Sequence, residues 1–307
     1  MTRVAVIDTG TNSTRMLVAD VGDGKINEVL RKTEITRLGV GVDSSGKLDA
    51  DAKARVSRCI AGFREIIDDE RAQMTIIIAT SSIRDADDGE EFMKELSVQT
   101  AISHSILTGR EEAVLSFTGS TIGLADAGRV FFFDVGGGST EIAVGRPGDP
   151  DYVKSLGIGC VRLKERYFKS DPPGMNEIKA AAGHIDTLLA SAIDIGSLGE
   201  FKTAVAVAGT VTTLAAVEMK LEKYDPVAVH GFVLSRQSVE RLLAKFISMT
   251  RQERREIATM EEGRTDVIIS GSLIVLRLMH YAGLDSLTVS ERDILDGAAI
   301  RLADGSI

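Results

Sequence analysis

Apolar positions along the chain follow two rhythms. Short β-rich runs stand at residues 3–7, 15–20, 26–35, 74–79 and 102–107, and again at 130–133, 142–144, 152–156, 203–207 and 286–289. Between them lie stretches with helical spacing. The clearest is 51–70, where Ala52, Val56, Cys59, Ile60, Phe63, Ile66 and Ile67 recur at i, i+4, i+7 and i+8 along one helix face. A helix is expected from Asp87 to about Leu96, opened by a capping box with Glu90, and another from Thr108 to about Ile122, opened by a box with Glu111. Others are expected near 161–168 and 176–193, after Gly209-Thr210, and over most of the remainder. A polar break at 126–129 divides the pattern. The expectation is a mixed α/β chain in two domains, residues 1–125 and 126–307.

The two parts open alike. "VAVIDTGTNSTRMLVA" runs from Val4 to Ala19 and "FFFDVGGGSTEIAVG" from Phe131 to Gly145. Aligning Asp8 with Asp134 pairs Gly10 with Gly136, Ser13 with Ser139, Thr14 with Thr140 and Val18 with Val144. Each copy reads strand, Asp-x-Gly, small polar turn, strand. A repeat at the head of each half predicts two related domains facing a shared cleft.

Glycine lets backbone N–H groups approach an anion with no Cβ in the way, and a run of such groups makes a concave anion site. Gly10, Thr11, Asn12 and Ser13 in the first turn are therefore candidate phosphate ligands, as are Gly136, Gly137, Gly138, Ser139 and Thr140 in the second. Gly209 and Thr210, at a predicted helix start, are a further anion site or a plain helix cap. An aspartate beside a phosphate is repulsive unless a cation lies between them. Asp8 and Asp134 thus imply a divalent metal, Mg²⁺ with Mn²⁺ as its substitute. Glu141, just past the second turn, is a third candidate ligand, direct or through water. A flexible hairpin turn would explain the three glycines alone, but not the duplicated aspartate and hydroxyls.

Composition narrows the partners. Of 307 residues, 44% are apolar and 26% charged, a soluble globular balance with length for two cores. A net charge of −9 turns the surface away from nucleic acid and anionic membranes, so a polyanion needs a local basic groove. Cys59 and Cys160 match no metal or redox spacing and fit a reducing cytosol, with Cys59 read as core filler. The apolar stretch 267–279 is too short to span a bilayer and holds Ser270, Gly271 and Arg277. With a strand in place of a signal peptide at the start, a cytoplasmic protein is expected.

The two turns resemble the paired phosphate loops of the actin, sugar-kinase and chaperone ATPase superfamily. The whole chain resembles the exopolyphosphatase / guanosine pentaphosphate phosphohydrolase family. The matching stretches are "DTGTNSTR" from Asp8, "ATSSIRDA" from Ala79, "LTGREEA" from Leu107 and "DVGGGSTE" from Asp134. "LGIGCVRL" from Leu156, "AGTVTTLA" from Ala208, "VHG" from Val229 and "SERDILDG" from Ser290 complete the series in family order. The resemblance implies two actin-like (ribonuclease H-like) domains with an interdomain cleft that closes on ligand, and a final helix at about 291–307 packed back on the first domain. It implies Mg²⁺-dependent hydrolysis of the terminal phosphoanhydride of inorganic polyphosphate, and a homodimer. Glu111 has a local role in the box with Thr108, and Glu112 stands at the family's general-base position. Arg84, in the turn "TSSIRD", stands where the resemblance places an arginine on the phosphates.

The chain departs from the family at two places. Leu295-Asp296-Gly297 replaces an R-E-G turn, and the chain stops at Ile307 where larger members carry a further helical domain. The short form is expected to favour shorter polyphosphates. Competing readings are a guanosine pentaphosphate phosphohydrolase, which no sequence feature separates from the first, and a sugar kinase, whose acceptor-activating aspartate and adenosine pocket have no counterpart in view. A sensor binding polyphosphate or guanosine tetraphosphate without turnover is the non-enzymatic alternative, and has no use for Glu112. Arg162, Lys164, Arg166 and Lys169 form the densest basic cluster of the second half; on one helix, 162, 166 and 169 would share a face, either holding a polyanion tail or simply solvated. His230, beside Gly231, is assigned no metal.

Overall fold

The computed structural model describes residues 1–22, 25–124 and 127–307. They form two compact units, Met1–Gly119 with Asp293–Ile307, and Ser120–Arg292. The division expected after residue 125 falls on Ala125 and Asp126, outside the described residues. The chain enters the second unit at Ser120 and returns to the first at Asp293. Each unit is mixed α/β, as the two rhythms of the sequence predict.

The first unit holds β1 (Thr2–Thr9), β2 (Thr14–Gly22), β3 (Lys25–Glu34), β4 (Met74–Ala79) and β5 (Ser103–Ile106), in the order β3-β2-β1-β4-β5. β1, β2 and β3 run antiparallel in sequence, while β4 and β5 continue parallel to β1. Ala5 and Ile7 point to one core, packed with Val56, Ile60 and Phe63 of the helix Ala50–Asp69 and Phe92 and Leu96 of the helix Gly89–Thr100. Val4 and Val6 point to the other, packed with Ile294, Leu295, Ala298 and Leu302 of the last helix, Ile294–Ala303. Burial on both faces is why β1 reads as a continuous apolar run with no polar alternation.

The second unit holds β6 (Val130–Val135), β7 (Thr140–Arg146), β8 (Asp149–Leu156), β9 (Thr203–Val207), β10 (Val233–Ser235) and β11 (Ser286–Val289), in the order β10-β11-β9-β6-β7-β8. β8-β7-β6-β9-β11 repeats the order and strand senses of β3-β2-β1-β4-β5. β10 is an antiparallel addition at the edge, three residues long and too short to register as a sequence pattern.

Two predicted helix starts turn out differently. Thr108 accepts the Glu111 N–H at 3.2 Å and gives its own N–H to Glu111 Oε2 at 2.8 Å, so that box forms. The Asp87–Glu90 box is a correction: the helix begins at Gly89 and runs to Thr100. A tertiary contact wins there, for Asp88 accepts the Leu48 N–H at 3.0 Å and pairs with Lys53, while Glu90 pairs with Lys94. Cys59 is half-buried against the first unit's core and Cys160 is buried, both as free thiols; burial pushes Cys59 up to about 12. No helix among the described residues is long and apolar enough to cross a membrane.

Candidate active site

Both hairpins close over the same turn. The Gly10 N–H donates to the Ser13 carbonyl at 3.0 Å, and the Gly136 N–H to the Ser139 carbonyl at 3.1 Å. Parallel pairing aligns Asp8 with Ile78, Thr9 with Ala79 and Ala79 with Ile106, so β1, β4 and β5 end at one level. The segments that follow, 10–13, 80–84 and 107–112, gather at that edge, where open α/β sheets take their ligands. In the second unit Asp134 aligns with Val207, which brings the turn 136–139 beside Ala208, Gly209 and Thr210.

In the first unit, side chains hold the turn. Thr11 Oγ1 lies 3.0 Å from Ser81 Oγ, and Thr14 Oγ1 2.9 Å from Thr36 Oγ1. The Arg37 N–H donates to the Asn12 carbonyl and the Gly39 N–H to the Thr11 carbonyl. A Cβ on Gly39 would lie 2.2 Å from Thr11 Cγ2, so any larger residue fits only if the Thr11 side chain gives way. Alongside, Arg84 Nη1 donates to the Leu107 carbonyl at 2.7 Å and to Glu112 Oε2 at 3.0 Å. The Thr108 cap engages Glu111, whose carboxyl the Thr108 N–H and hydroxyl hold below the ordinary range. Glu112, 8% exposed, turns to Arg84 instead. The residues read as base and phosphate-binding arginine are thus each other's partners, and the arginine fixes one oxygen of the carboxylate.

Asp8 faces Arg15 across β1 and β2. Asp8 Oδ2 accepts both Arg15 Nε, at 3.1 Å, and Nη2, at 2.6 Å, while Nη1 donates to Asp293. Asp8 is 4% exposed, and its Oδ1 has no hydrogen-bond partner. Burial pushes the Asp8 carboxyl up, against the pull of Arg15. Burial works the same way on Asp293, but there Arg15 and Arg31 prevail and hold it below the ordinary range.

At the matching place in the second unit, Asp134 faces Glu141. Glu141 is 1% exposed and accepts from Ser155 Oγ at 2.7 Å. Two carboxylates opposite each other repel, and a divalent cation fits such a pair. Asp8 Oδ1, buried and unpartnered, fits one as well. Among the described residues, no three Asp, Glu, His or Cys side chains converge as a ready cage. Mg²⁺ takes one or two carboxylates and completes its shell with phosphate oxygens and water, so it needs no such cage.

Backbone holds the second turn. The N–H groups of Cys160 and Val161, opening the helix Cys160–Tyr167, donate to the carbonyls of Gly136 and Gly137, both at 2.9 Å. Gly159 passes so close that a Cβ would lie 2.4 Å from the Gly137 carbonyl carbon. The Thr140 hydroxyl, read as a phosphate donor, gives its proton to the Ile158 carbonyl at 2.6 Å. Ser139 is buried beside it. Thr210 is 1% exposed and packed against Gly271, while the Arg264 guanidinium lies directly over Gly209.

Comparison with known proteins places the chain in a family. The Ppx/GppA phosphatase family signature matches residues 17–304. The chain belongs to the Ppx/GppA phosphatase family. It is 40% identical to "Exopolyphosphatase 2" of Mycobacterium tuberculosis, over 99% of each chain. It is 28% identical to the "Guanosine-5'-triphosphate,3'-diphosphate pyrophosphatase" of Vibrio atlanticus, over 98% of this chain and 59% of that one. A crystal structure described as an exopolyphosphatase-like protein superposes with a TM-score of 0.92 at 33% identity, covering 99% of this chain and 100% of that one. Within this family the two repeated sheets are actin-like domains.

Two cations of this Ppx/GppA member escaped the sequence reading. Arg15 was visible in principle, since a turn at 10–13 sets position 15 opposite position 8. Arg264 gave no signal, for nothing local ties it to Gly209. The basic cluster requires a correction: its helix ends at Tyr167, and Lys169 lies beyond it with its N–H on Glu177, so 162, 166 and 169 share no helical face. His230 Nδ1 accepts the Glu291 N–H at 3.2 Å.

Proposed function

We propose that this protein is an exopolyphosphatase, hydrolysing the terminal phosphoanhydride of inorganic polyphosphate and releasing orthophosphate. The observation that carries this reading is the Arg84–Glu112 pair, set beside the Asp8 turn at one sheet edge. The relative named exopolyphosphatase, 40% identical over the full length, supports the choice of substrate.

The terminal phosphate lies against the first unit's turn 10–13, where backbone N–H groups receive its oxygens. Glu112 takes a proton from the attacking water as the water oxygen bonds to phosphorus in line with the bridging oxygen. The bridging P–O bond breaks, and its electron pair stays on the shortened chain. Arg84 orients Glu112 and offers its remaining donors to the charge that builds on the phosphoryl oxygens. Asp8 in the first unit, and the Asp134–Glu141 pair in the second, are each suited to hold Mg²⁺ or Mn²⁺, which would neutralise phosphate oxygens when bound. Gly209, Thr210 and Arg264 complete the anion-binding surface of the second unit.

Phosphate release from polyphosphates of several lengths, guanosine pentaphosphate and ATP, with wild type and Glu112→Gln, tests this. Polyphosphate turnover that collapses in the variant is the expected result. Binding without turnover of any substrate overturns it and leaves a sensor. The similarity to the Vibrio protein favours guanosine pentaphosphate as the second reading, and preferred turnover of that substrate would establish it. The proposal extends to a cytoplasmic homodimer, and the net charge of −9 disfavours nucleic-acid and anionic-membrane partners; a monomer mass in sedimentation equilibrium would remove the dimer from it.

A further inference from the structure

Two arginine–aspartate pairs bridge β1 and β2, and they differ in geometry. Arg3 and Asp20, opposed in register, form an ordinary fork: Nε donates to Oδ1 at 2.8 Å and Nη2 to Oδ2 at 2.9 Å. Arg15 and Asp8 are opposed in the same way with the order reversed. Here Nε and Nη2 both fall on Oδ2, and Oδ1 is left buried without a partner. A guanidinium and a carboxylate left to themselves take the two-oxygen fork. What differs is how firmly a third group holds Nη1: on Arg3 it reaches only the Glu70 carbonyl at 3.2 Å and Glu70 Oε2 at 3.5 Å, whereas on Arg15 it meets a buried carboxylate in direct contact. Asp293 takes Nη1 of Arg15, and this places the guanidinium off the axis of Asp8.

Asp293 is itself held. Its Oδ1 accepts the Leu295 N–H at 3.0 Å, and its N–H donates to Asp296 Oδ2 at 3.0 Å, in a capping box that opens the last helix. Arg31 on β3 donates to Asp296 at 2.8 Å and lies 3.7 Å from Asp293 Oδ1. Asp8, Arg15, Asp293, Arg31 and Asp296 thus form an alternating chain of charges within the first unit, anchored on β3 and on the last helix. Asp296 is the residue that replaces the usual glutamate of the family's R-E-G turn, and it closes this chain.

We propose that Asp293 is a positioning residue that draws Arg15 off Asp8 Oδ1 and so keeps that oxygen open to a divalent cation or its water. The cation rests on the function proposed above; the geometry of the network does not. With Asp293 neutral, Arg15 is expected to settle into the two-oxygen fork seen at Arg3 and to cover Oδ1.

The test is Mn²⁺ binding to the full chain with inorganic phosphate present, followed by loss of the free-ion electron paramagnetic resonance signal. Wild type, Asp293→Asn and Asp8→Asn are compared, with thermal unfolding and phosphate release from tripolyphosphate read alongside. Asn retains the helix cap without the charge, and Asp293→Ser, a second capping side chain, repeats the test independently. Expected is an affinity for Mn²⁺ weakened about tenfold in Asp293→Asn, approaching that of Asp8→Asn, with the fold retained. A role confined to capping would lower the melting temperature and leave Mn²⁺ affinity alone, and that result overturns the proposal. Wild-type Mn²⁺ binding that Asp8→Asn does not weaken overturns it too, by removing Asp8 from the cation. Absence of phosphate release from any polyphosphate is a separate failure, of the hydrolase reading.

Discussion

Asp8 faces Arg15 across the first hairpin, whereas Asp134 faces Glu141 across the second. The turns between them have the same hydrogen bond, and the sheets around them have the same strand order. One position therefore separates a hairpin that carries its own counter-ion from one that doubles its negative charge. The first is electrically closed except at Asp8 Oδ1. The second sets two carboxylates face to face. The supports differ too: hydroxyl contacts brace the first turn, and a helix start braces the second. The Arg84–Glu112 pair belongs to the first unit. On the proposed function, the duplicated fold is divided between an edge that activates water and an edge that binds metal and phosphate.

The largest effect should come from the residue that has no counterpart in the repeat. Glu112→Gln keeps the size of the side chain and removes the base. Expected is a loss in kcat of about 10²–10⁴-fold, with KM for polyphosphate within a few-fold of wild type. An equal loss in KM would mean that Glu112 binds substrate and that the division of labour is wrong.

The charge difference between the hairpins is tested next. Glu141→Gln should raise the Mg²⁺ concentration needed for half-maximal phosphate release by roughly 10–100-fold. Thr33→Ala, on the strand that flanks Arg15 as Ser155 flanks Glu141, should leave that concentration where it is. Equal shifts in the two would mean that the dependence on metal is not set at the second hairpin.

Much of this division was legible in the chain, because it rests on local pattern. The apolar runs of β1, β4, β6 and β9, the repeated Asp-x-Gly turn and the Thr108–Glu111 box each need only neighbours in sequence. The separation of Glu111 from Glu112 followed from the box alone. What stayed hidden depends on distant partners. Asp293 reaches Arg15 from 278 residues away, and Arg264 comes over Gly209 from a different helix. The Asp87–Glu90 box failed for the same reason, since Leu48 and Lys53 engaged Asp88 and the helix began later. Local rules place the elements; which charge meets which is decided by topology.

The difference in support predicts a difference in tolerance. Gly159→Ala sets a methyl against the backbone of Gly137, whose carbonyl is held by the Val161 and Arg162 N–H groups. Gly39→Ala sets one against the Thr11 side chain, which can rotate at the loss of its bond to Ser81. Urea unfolding should show about 1–3 kcal/mol of destabilisation for Gly159→Ala and less for Gly39→Ala. The reverse order would mean that the first turn is the stiffer of the two.

The smallest expected effect lies at the far end of the helix that braces the second turn. After Tyr167 the chain loops back over Glu177, which accepts the N–H groups of Lys169 at 2.6 Å, Ser170 at 3.2 Å and Gly174 at 2.7 Å, and the Ser170 hydroxyl. The Ser170 hydroxyl first, and then the backbone donors, pull the carboxyl from its ordinary 4.5 to about 2. The folded value lies below the unfolded one, so the contribution is complete above 4.5 and is lost as pH falls towards about 2. Glu177→Gln should therefore melt slightly below wild type at pH 7, and the gap should narrow on acidification across that window. The side chain is open to solvent, which keeps the effect small. A gap that persists at the acid end would assign the loop's stability to packing, and the brace on the second turn would then owe nothing to this charge.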